Sequence, residues 1–209
     1  MKKFVLVLLH GLGSDPSDME ALGQVLVEQQ AESNIELICP QAPMRSVTLN
    51  HDMVMPAWYD IYQLDRLEPE DEEGIEASYD TLVEILDELV EEIGADRIIL
   101  GGFSQGAAIA LYTALRYPKA LAGVMAISTY LPRLESTVKE ATQSNLNMIQ
   151  VHGGHDEILP IVFALSTYSV LLETGQNIKW YQHEGAHEVN DEAVSKLSLW
   201  LSQIVNGIL

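Results

Sequence analysis

The sequence predicts a protein of the α/β class, with a mostly parallel central sheet and helices on both of its faces. The first observation is that short apolar runs alternate with longer helical patterns along all 209 residues. This alternation is typical of β-α-β crossovers. The second is that no internal repeat or Pro/Ser/Gly-rich linker interrupts the chain. We therefore expect one domain over residues 1–209.

The predicted elements alternate along most of the chain. The strands are expected at Phe4–Leu9, Ile35–Cys39, Arg97–Leu100, Gly123–Ile127, Asn147–His152 and Ile178–Gln182. The helices are expected near Ser17–Gln30, Asp71–Ile93, Gln105–Arg116, Ile158–Glu173 and Val189–Val205. The stretch Pro40–Leu67 has no clear periodicity, and a loop of that length inside a compact domain is usually functional.

The first predicted strand has to be distinguished from a targeting segment. Two lysines precede Phe4–Leu9, as in a signal peptide, but the apolar run stops after six residues at His10-Gly11. No cleavage site follows, and the run is too short to cross a bilayer. The one cysteine, Cys39, cannot form an internal disulfide, which suits a reducing compartment. We expect a cytoplasmic protein without stable membrane insertion.

The chain is strongly acidic, with 31 acidic residues, 11 basic residues and a net charge of −20. Such a surface repels phosphate backbones, so nucleic-acid binding is not expected. Fourteen of the acids lie between Asp65 and Asp96, where they surround an apolar stripe of helical period. The simpler interpretation is a solvated helix face, and a docking face for a basic partner is the alternative.

A candidate nucleophile follows the third predicted strand. Gly102-x-Ser104-x-Gly106 is a G-x-S-x-G pentapeptide between a buried strand and a helix, which is the context of a nucleophile elbow. The glycines are needed because side chains there would collide with the crossing strand and helix. The competing interpretation is a tight turn whose serine only caps the helix.

A glycine-rich turn after the first strand predicts an oxyanion hole. Acyl transfer requires two backbone N–H donors aimed at the developing oxyanion. In this architecture we expect them at Gln105, after the nucleophile, and at Leu12, in His10-Gly11-Leu12-Gly13. A phosphate-binding turn is the alternative, but the sequence lacks both G-x-G-x-x-G and a Walker lysine. His10 is expected to stabilise the turn.

The base and the acid are expected in late loops, because the chain order of this architecture is Ser, acid, His. His187 precedes the final helix and is the candidate base, whereas His183 ends a strand and is expected to be packed. Asp156, 31 residues earlier, follows a Gly-Gly turn and is the candidate acid. Glu157 is its rival and more plausibly begins the next helix.

Two other classes of function remain as alternatives. A metal-dependent hydrolase could use His152, His155 and Asp156, although neither H-x-H-x-D-H nor H-E-x-x-H occurs. A non-catalytic α/β module could instead bind an acylated partner. We expect no metal and no cofactor, and a homodimer is a reasonable expectation for oligomeric state.

The chain resembles the carboxylesterase and acyl-protein thioesterase family of small α/β-hydrolases over nearly its whole length. The resemblance rests on His10-Gly-Leu-Gly13, Gly102-Phe-Ser-Gln-Gly106, His152-Gly-Gly-His-Asp156-Glu-Ile-Leu-Pro160, Gly185-Ala-His187, Val47-Thr-Leu-Asn50 and Ala57-Trp-Tyr-Asp60. It implies an α/β-hydrolase fold, a Ser104–His187–Asp156 triad and an oxyanion hole from Leu12 and Gln105. It also implies cofactor-free hydrolysis of esters or thioesters, including acylated proteins or lipids.

By analogy with this family, the Pro40–Leu67 loop flanks the acyl groove. Its apolar residues would then bind substrate, and Met53, Met55 and Trp58 are the candidates, together with Leu159. Irregular Met-rich segments make adaptable apolar surfaces. The alternative is that they form a buried cluster beneath a long loop. No insertion between the motifs is long enough for a separate cap domain, so we expect an open site.

Overall fold

The computed structural model describes residues 2–63 and 69–209. In this part of the chain the strands are β1 (Lys3–Leu9), β2 (Asn34–Ile38), β3 (Met44–Val47), β4 (Met53–Pro56), β5 (Ile98–Phe103), β6 (Gly123–Ile127), β7 (Asn147–Gly153) and β8 (Asn177–His183). The helices are α1 (Pro16–Glu28), α2 (Glu72–Ile93), α3 (Gln105–Arg116), α4 (Leu134–Glu140), α5 (Ile161–Glu173) and α6 (Asp191–Val205).

Six strands form one sheet in the order β2-β1-β5-β6-β7-β8, and every neighbouring pair is parallel. The predicted α/β architecture with a parallel sheet is therefore confirmed. Because all six strands run the same way, the loops that follow them meet at one edge of the sheet. In open sheets of this kind, that edge is where ligands bind.

Two apolar layers cover the sheet, one on each face. Along β1, Val5, Val7 and Leu9 face one layer, and Leu6 and Leu8 face the other, because successive strand side chains point to opposite faces. Helices α2, α3 and α5 pack on the first face, and α1 and α6 pack on the second. Nearly all of these strand side chains are fully buried, as their continuous apolar runs predict.

The acidic helix α2 has the predicted apolar stripe. Ile75, Leu82 and Leu86 are fully buried, while most of the acids of the helix remain partly or fully exposed. The helix begins where the Asp71 carboxylate accepts a hydrogen bond from Gly74 N–H at 3.0 Å, which satisfies one of the free N–H groups of the first turn. Residues 64–68, the start of the acidic stretch, lie outside the described residues.

The structure differs from the sequence prediction at several element boundaries. The stretch predicted as a loop over Pro40–Leu67 contains an antiparallel hairpin, β3–β4, and residues 64–67 of it lie outside the described residues. Helix α4 was not predicted. Helix α5 begins at Ile161, not Ile158, because the N–H groups of Ile158 and Leu159 donate to the Asp156 carboxylate. None of the helices among the described residues is long and apolar enough to cross a membrane.

We predict that Gly106→Ala destabilises the fold far more than Gly175→Ala. A Cβ at position 106 would collide with the carbonyl oxygens of Leu9 and His10, which are backbone atoms and cannot move aside. The expected loss is about 3 kcal/mol of unfolding free energy, as for an overpacked core. Gly175 has a positive φ but no neighbour within 4 Å, so alanine there should cost only about 1 kcal/mol.

Chemical denaturation of both variants measures the difference. Equal losses of unfolding free energy would show that the close approach of α3 to β1 does not make glycine necessary at position 106.

Candidate active site

Ser104 occupies the sharp turn between β5 and α3. Its backbone torsions are φ 53° and ψ −120°, which is a strained conformation for a residue with a side chain. The turn is held by a hydrogen bond from Ser104 N–H to Ile127 O at 2.8 Å. Gly102 and Gly106 lie against the end of β1, where a Cβ on either would meet backbone atoms. The glycines therefore allow the serine to stand at the edge of the sheet.

Ser104, His187 and Asp156 form a continuous chain of hydrogen bonds. The distance from Ser104 Oγ to His187 Nε2 is 2.9 Å. His187 Nδ1 lies 2.7 Å from Asp156 Oδ2. Since a carboxylate can only accept, Nδ1 is assigned as the donor and Nε2 as the acceptor of the serine proton. The loops after β5, β7 and β8 bring together the three residues that the sequence singled out.

The Asp156 carboxylate is completely buried but well supplied with donors. Its Oδ1 accepts hydrogen bonds from the backbone N–H groups of Ile158 at 3.0 Å and Leu159 at 2.7 Å. Its Oδ2 is thereby left to face His187. Such bonds fix the direction of the carboxylate. The rival acid Glu157 is exposed. The rival base His183 is buried, and its Nδ1 accepts from Gly185 N–H at 3.0 Å.

His152 lies behind this carboxylate at the end of β7. Its Nε2 is 3.0 Å from Leu159 O and 3.4 Å from Asp156 Oδ2. Burial lowers the pKa of His152 below its ordinary value of 6.5, which favours a neutral ring that donates through Nε2. The sequence singled out His152 only as a candidate ligand of the alternative metal site. No sequence signal reveals that the ring lies against Asp156, because the contact depends on the turn at residues 153–156.

The side chains of the alternative metal site do not converge. His155 is exposed and lies 3.4 Å from Glu184, whereas His152 and Asp156 are fully buried. Over residues 2–63 and 69–209, no group of three or more His, Cys, Asp and Glu side chains is placed to hold a metal ion. The buried carboxylate of Asp156 already receives its hydrogen bonds from the protein itself.

The turn after β1 and the start of α3 carry Leu12 and Gln105, the two residues predicted to supply the oxyanion hole. Gln105 is the first residue of α3, so its N–H has no acceptor inside the helix. In the turn, Gly13 N–H donates to Pro56 O at 2.8 Å and Ser14 N–H donates to Gly11 O at 3.3 Å. Leu12 directly precedes these two residues. Leu12 lines the same cavity as Ser104 and His187.

His10 and Trp58 hold this turn in place. His10 Nε2 accepts from Ala42 N–H at 3.0 Å, and the Trp58 indole N–H donates to His10 O at 2.8 Å. The Gln105 side chain completes the link, since it accepts from Trp58 N–H at 2.9 Å and donates to Tyr59 O at 2.7 Å. The side chain of Gln105 thus fixes the neighbouring loop to the start of α3.

A cavity of about 330 Å³ opens beside Ser104. Apolar side chains make up most of its wall, including those of Leu12, Met19, Leu49, Ile61, Phe103 and Ile158. None of the predicted substrate-binding residues Met53, Met55, Trp58 and Leu159 lines this cavity. Trp58 and Leu159 are 1% and 5% exposed and belong to the core. Met53 points to solvent from the hairpin, being 57% exposed.

Met55 contributes indirectly to the site. Its sulfur accepts a hydrogen bond from Asn50 Nδ2 at 3.1 Å and lies 3.5 Å from where a Cβ on Gly13 would stand. The side chain therefore packs behind the turn that carries Leu12 and does not form the cavity wall. Because the loop has no periodicity, the sequence does not indicate whether an apolar residue there packs behind the turn or lines the cavity.

The fold and this hydrogen-bonded serine define a hydrolase of the α/β-hydrolase class. A family model described as phospholipase/carboxylesterase matches residues 1–205. The chain is 31% identical to acyl-protein thioesterase 1 of Mycosarcoma maydis, with 96% of this chain and 90% of the relative covered. The chain belongs to the phospholipase/carboxylesterase family, and it is a carboxylic ester hydrolase.

Solved structures show the same architecture. The structure of Arabidopsis thaliana SOBER1 superposes with a TM-score of 0.87 at 23% identity, over 97% of this chain and 99% of that one. Zea mays acyl-protein thioesterase 2 gives a TM-score of 0.85 at 26% identity, over 98% of this chain and 95% of that one. The expected fold without a separate cap domain is confirmed.

We predict that His152 makes stability depend on pH in mildly acid solution. Its pKa is lowered in the folded protein, so the unfolded chain binds the proton more tightly. The free energy of unfolding should therefore decline as pH falls from about 7 through the ordinary histidine value, with no such contribution at higher pH. His152→Gln should flatten this decline, whereas His155→Gln should not, because that side chain is 72% exposed.

Urea denaturation at several pH values between about 5 and 8 gives the comparison. A His152→Gln variant that keeps the full decline would contradict the assignment of the pH dependence to this ring.

Proposed function

We propose that the protein hydrolyses carboxylic esters or thioesters through a Ser104–His187–Asp156 triad and an acyl-enzyme intermediate. The observation that carries this proposal is the unbroken hydrogen-bond chain of 2.9 Å and 2.7 Å from the serine hydroxyl to the buried carboxylate. A serine hydroxyl is a weak nucleophile until an oriented base removes its proton. The strained backbone of Ser104 supports the same role, because such strain is concentrated at functional sites.

The geometry supports a two-step reaction. Ser104 Oγ attacks the carbonyl carbon while His187 Nε2 takes its proton, and the carbonyl oxygen becomes an oxyanion near the Leu12 and Gln105 N–H groups. The carbon–oxygen or carbon–sulfur bond then breaks, and protonated His187 returns the proton to the leaving atom. Water attacks the acyl-enzyme in the same way, with His187 again as base. Asp156 holds the imidazole in the tautomer that both steps require.

The acyl group is the part of the substrate that the cavity beside Ser104 suits best. Its wall near Leu49, Ile61 and Ile158 is apolar, and the net charge of −20 disfavours anionic groups near the scissile bond. The relative from Mycosarcoma maydis carries the name acyl-protein thioesterase 1. We include acylated proteins and lipids among the proposed substrates on that likeness.

Three further proposals complete the assignment. The chain acts as one catalytic domain over residues 1–209, and it works in the cytoplasm, where its one cysteine stays reduced. The pKa of that thiol, Cys39, is raised to about 11, chiefly by burial, which keeps it protonated and unreactive. A homodimer stays a prediction from the sequence.

Ser104→Ala should abolish hydrolysis of p-nitrophenyl butyrate while leaving the fold intact. The loss in kcat should approach about 10⁶-fold, because members of a triad act as a unit. A fluorophosphonate probe labels only an activated serine, so the unmodified protein should gain one label at Ser104 and the variant none. Retention of a tenth of the activity, or labelling at another residue, would rule out this nucleophile. Absence of labelling in the unmodified protein would favour a non-catalytic module.

Asp156→Asn should lower kcat by about 10⁴-fold, because an amide cannot hold His187 in the working tautomer. Glu157→Gln is the matched control, since it makes the same change one residue later on an exposed side chain and should retain most activity. Steady-state rates with one neutral ester measure both. A greater loss in the Glu157 variant would show that the acid has been assigned to the wrong residue.

A further inference from the structure

A second apolar groove lies between α1 and α6, outside the cavity described above. Its volume is about 350 Å³, which falls within the roughly 300–1,000 Å³ of small-ligand sites. Met19, Leu22 and Val25 line it from α1. Val194 lines it from α6, and Val189 lines it from the loop before that helix. The described mechanism makes no use of this groove.

The groove adjoins the cavity beside Ser104. The two share Asp18, Met19 and Phe103 as wall residues. Phe103 directly precedes Ser104 in the chain, so a substrate bound at the serine would pass over this ring to enter the groove. An apolar groove that opens into a catalytic cavity has an evident class of occupant, namely an apolar part of the substrate.

The position of the groove indicates which half of the substrate it receives. The Phe103 ring packs against the His187 ring, with their centroids 4.8 Å apart. Val189 follows His187 by two residues. When the tetrahedral intermediate collapses, the carbon–oxygen or carbon–sulfur bond breaks and His187 Nε2 gives its proton to the departing atom. The leaving group must therefore lie on the His187 side of the carbonyl carbon, which is the side of the groove.

Charge at the junction restricts the occupant further. The Asp18 carboxylate stands where the two cavities meet and accepts a hydrogen bond from the Ser14 hydroxyl. A phosphate or carboxylate on the leaving group would meet this negative charge, and the net charge of −20 adds to the repulsion. An uncharged aliphatic chain meets only the apolar walls beyond it.

We propose that the α1–α6 groove binds the leaving group of the substrate, as an uncharged apolar alcohol or thiol. The acyl group then occupies the opposite part of the cavity, beside Leu49 and Ile61. This inference rests on the proposed ester and thioester hydrolysis at Ser104, and it makes selectivity for the leaving group separable from selectivity for the acyl chain.

Two isomeric esters test the proposal because they place the same carbon atoms on opposite sides of the scissile bond. Hexyl acetate has its chain in the alcohol, and methyl heptanoate has it in the acid. Leu22→Gln should lower the ratio of kcat/KM for hexyl acetate to that for methyl heptanoate about 5-fold, because the hexyl chain loses apolar contact in the groove. Release of acid, followed with a pH indicator, gives both rates.

Val194→Thr is a second variant, which keeps the shape of the side chain and adds a hydroxyl to the opposite wall. It should shift the ratio in the same direction. Leu165→Gln is the matched control, because Leu165 is 41% exposed on α5, and the ratio should stay as in the unmodified protein. A ratio unchanged in both groove variants, or raised by them, would overturn the assignment to the leaving group.

The fluorophosphonate label separates this failure from failure of the proposed function. A protein that labels at Ser104 and cleaves both esters with an unchanged ratio would contradict only the role of the groove. A protein that neither labels nor cleaves either ester would overturn the hydrolase activity and the role of the groove with it.

Discussion

The close backbone approach between the end of β1 and the start of α3 is the constraint on which the site depends. Gly102 and Gly106 allow it, because any Cβ there would meet the backbone around Leu9 and His10. The approach brings two separate features side by side: the strained turn of Ser104 and the turn that carries Leu12. A nucleophile and an oxyanion hole must stand within a few ångströms of one carbonyl group. Two glycines four residues apart make that spacing possible.

The hydrogen bonds around this contact keep it rigid without using the groups that would meet substrate. His10, Trp58 and the Gln105 side chain connect β1, the hairpin loop and α3. The N–H groups of Leu12 and Gln105 remain the proposed donors to the oxyanion, because Gln105 makes these bonds with its side chain. Preorganised donors of this kind cost no rearrangement when charge develops, which is why they are effective in a water-poor site.

The sequence predicted the parts of the fold that follow from local periodicity. Continuous apolar runs predicted all six strands of the parallel sheet, and the apolar stripe beginning at Ile75 predicted α2. The β3–β4 hairpin was not predicted, because its exposed Met53 and Val54 carry no alternation of buried and solvent-facing residues. The start of α5 was placed too early because Asp156 uses the N–H groups of Ile158 and Leu159.

At the site, the sequence identified the residues whose type and order in the chain are constrained by the chemistry. It did not predict the positions of residues that are determined only by tertiary contacts. Ser104, Asp156 and His187 follow strand ends in a fixed order, and the structure places them within hydrogen-bonding distance. Trp58 was expected in the substrate groove, but the structure buries it, with its indole N–H bonded to His10. An aromatic residue in an irregular loop gives the same sequence signal in either position.

Phe103 illustrates how one residue can link the catalytic groups to selectivity. It ends β5, touches the His187 ring and forms the wall shared by both cavities. Its own position is set by the same turn that exposes Ser104, since the two residues are adjacent. The proposed base, His187, is therefore positioned partly by a ring that also borders the proposed leaving-group groove. His187 returns the proton on the side of the groove. A leaving group that fits the groove would therefore be held where its departing atom can receive that proton.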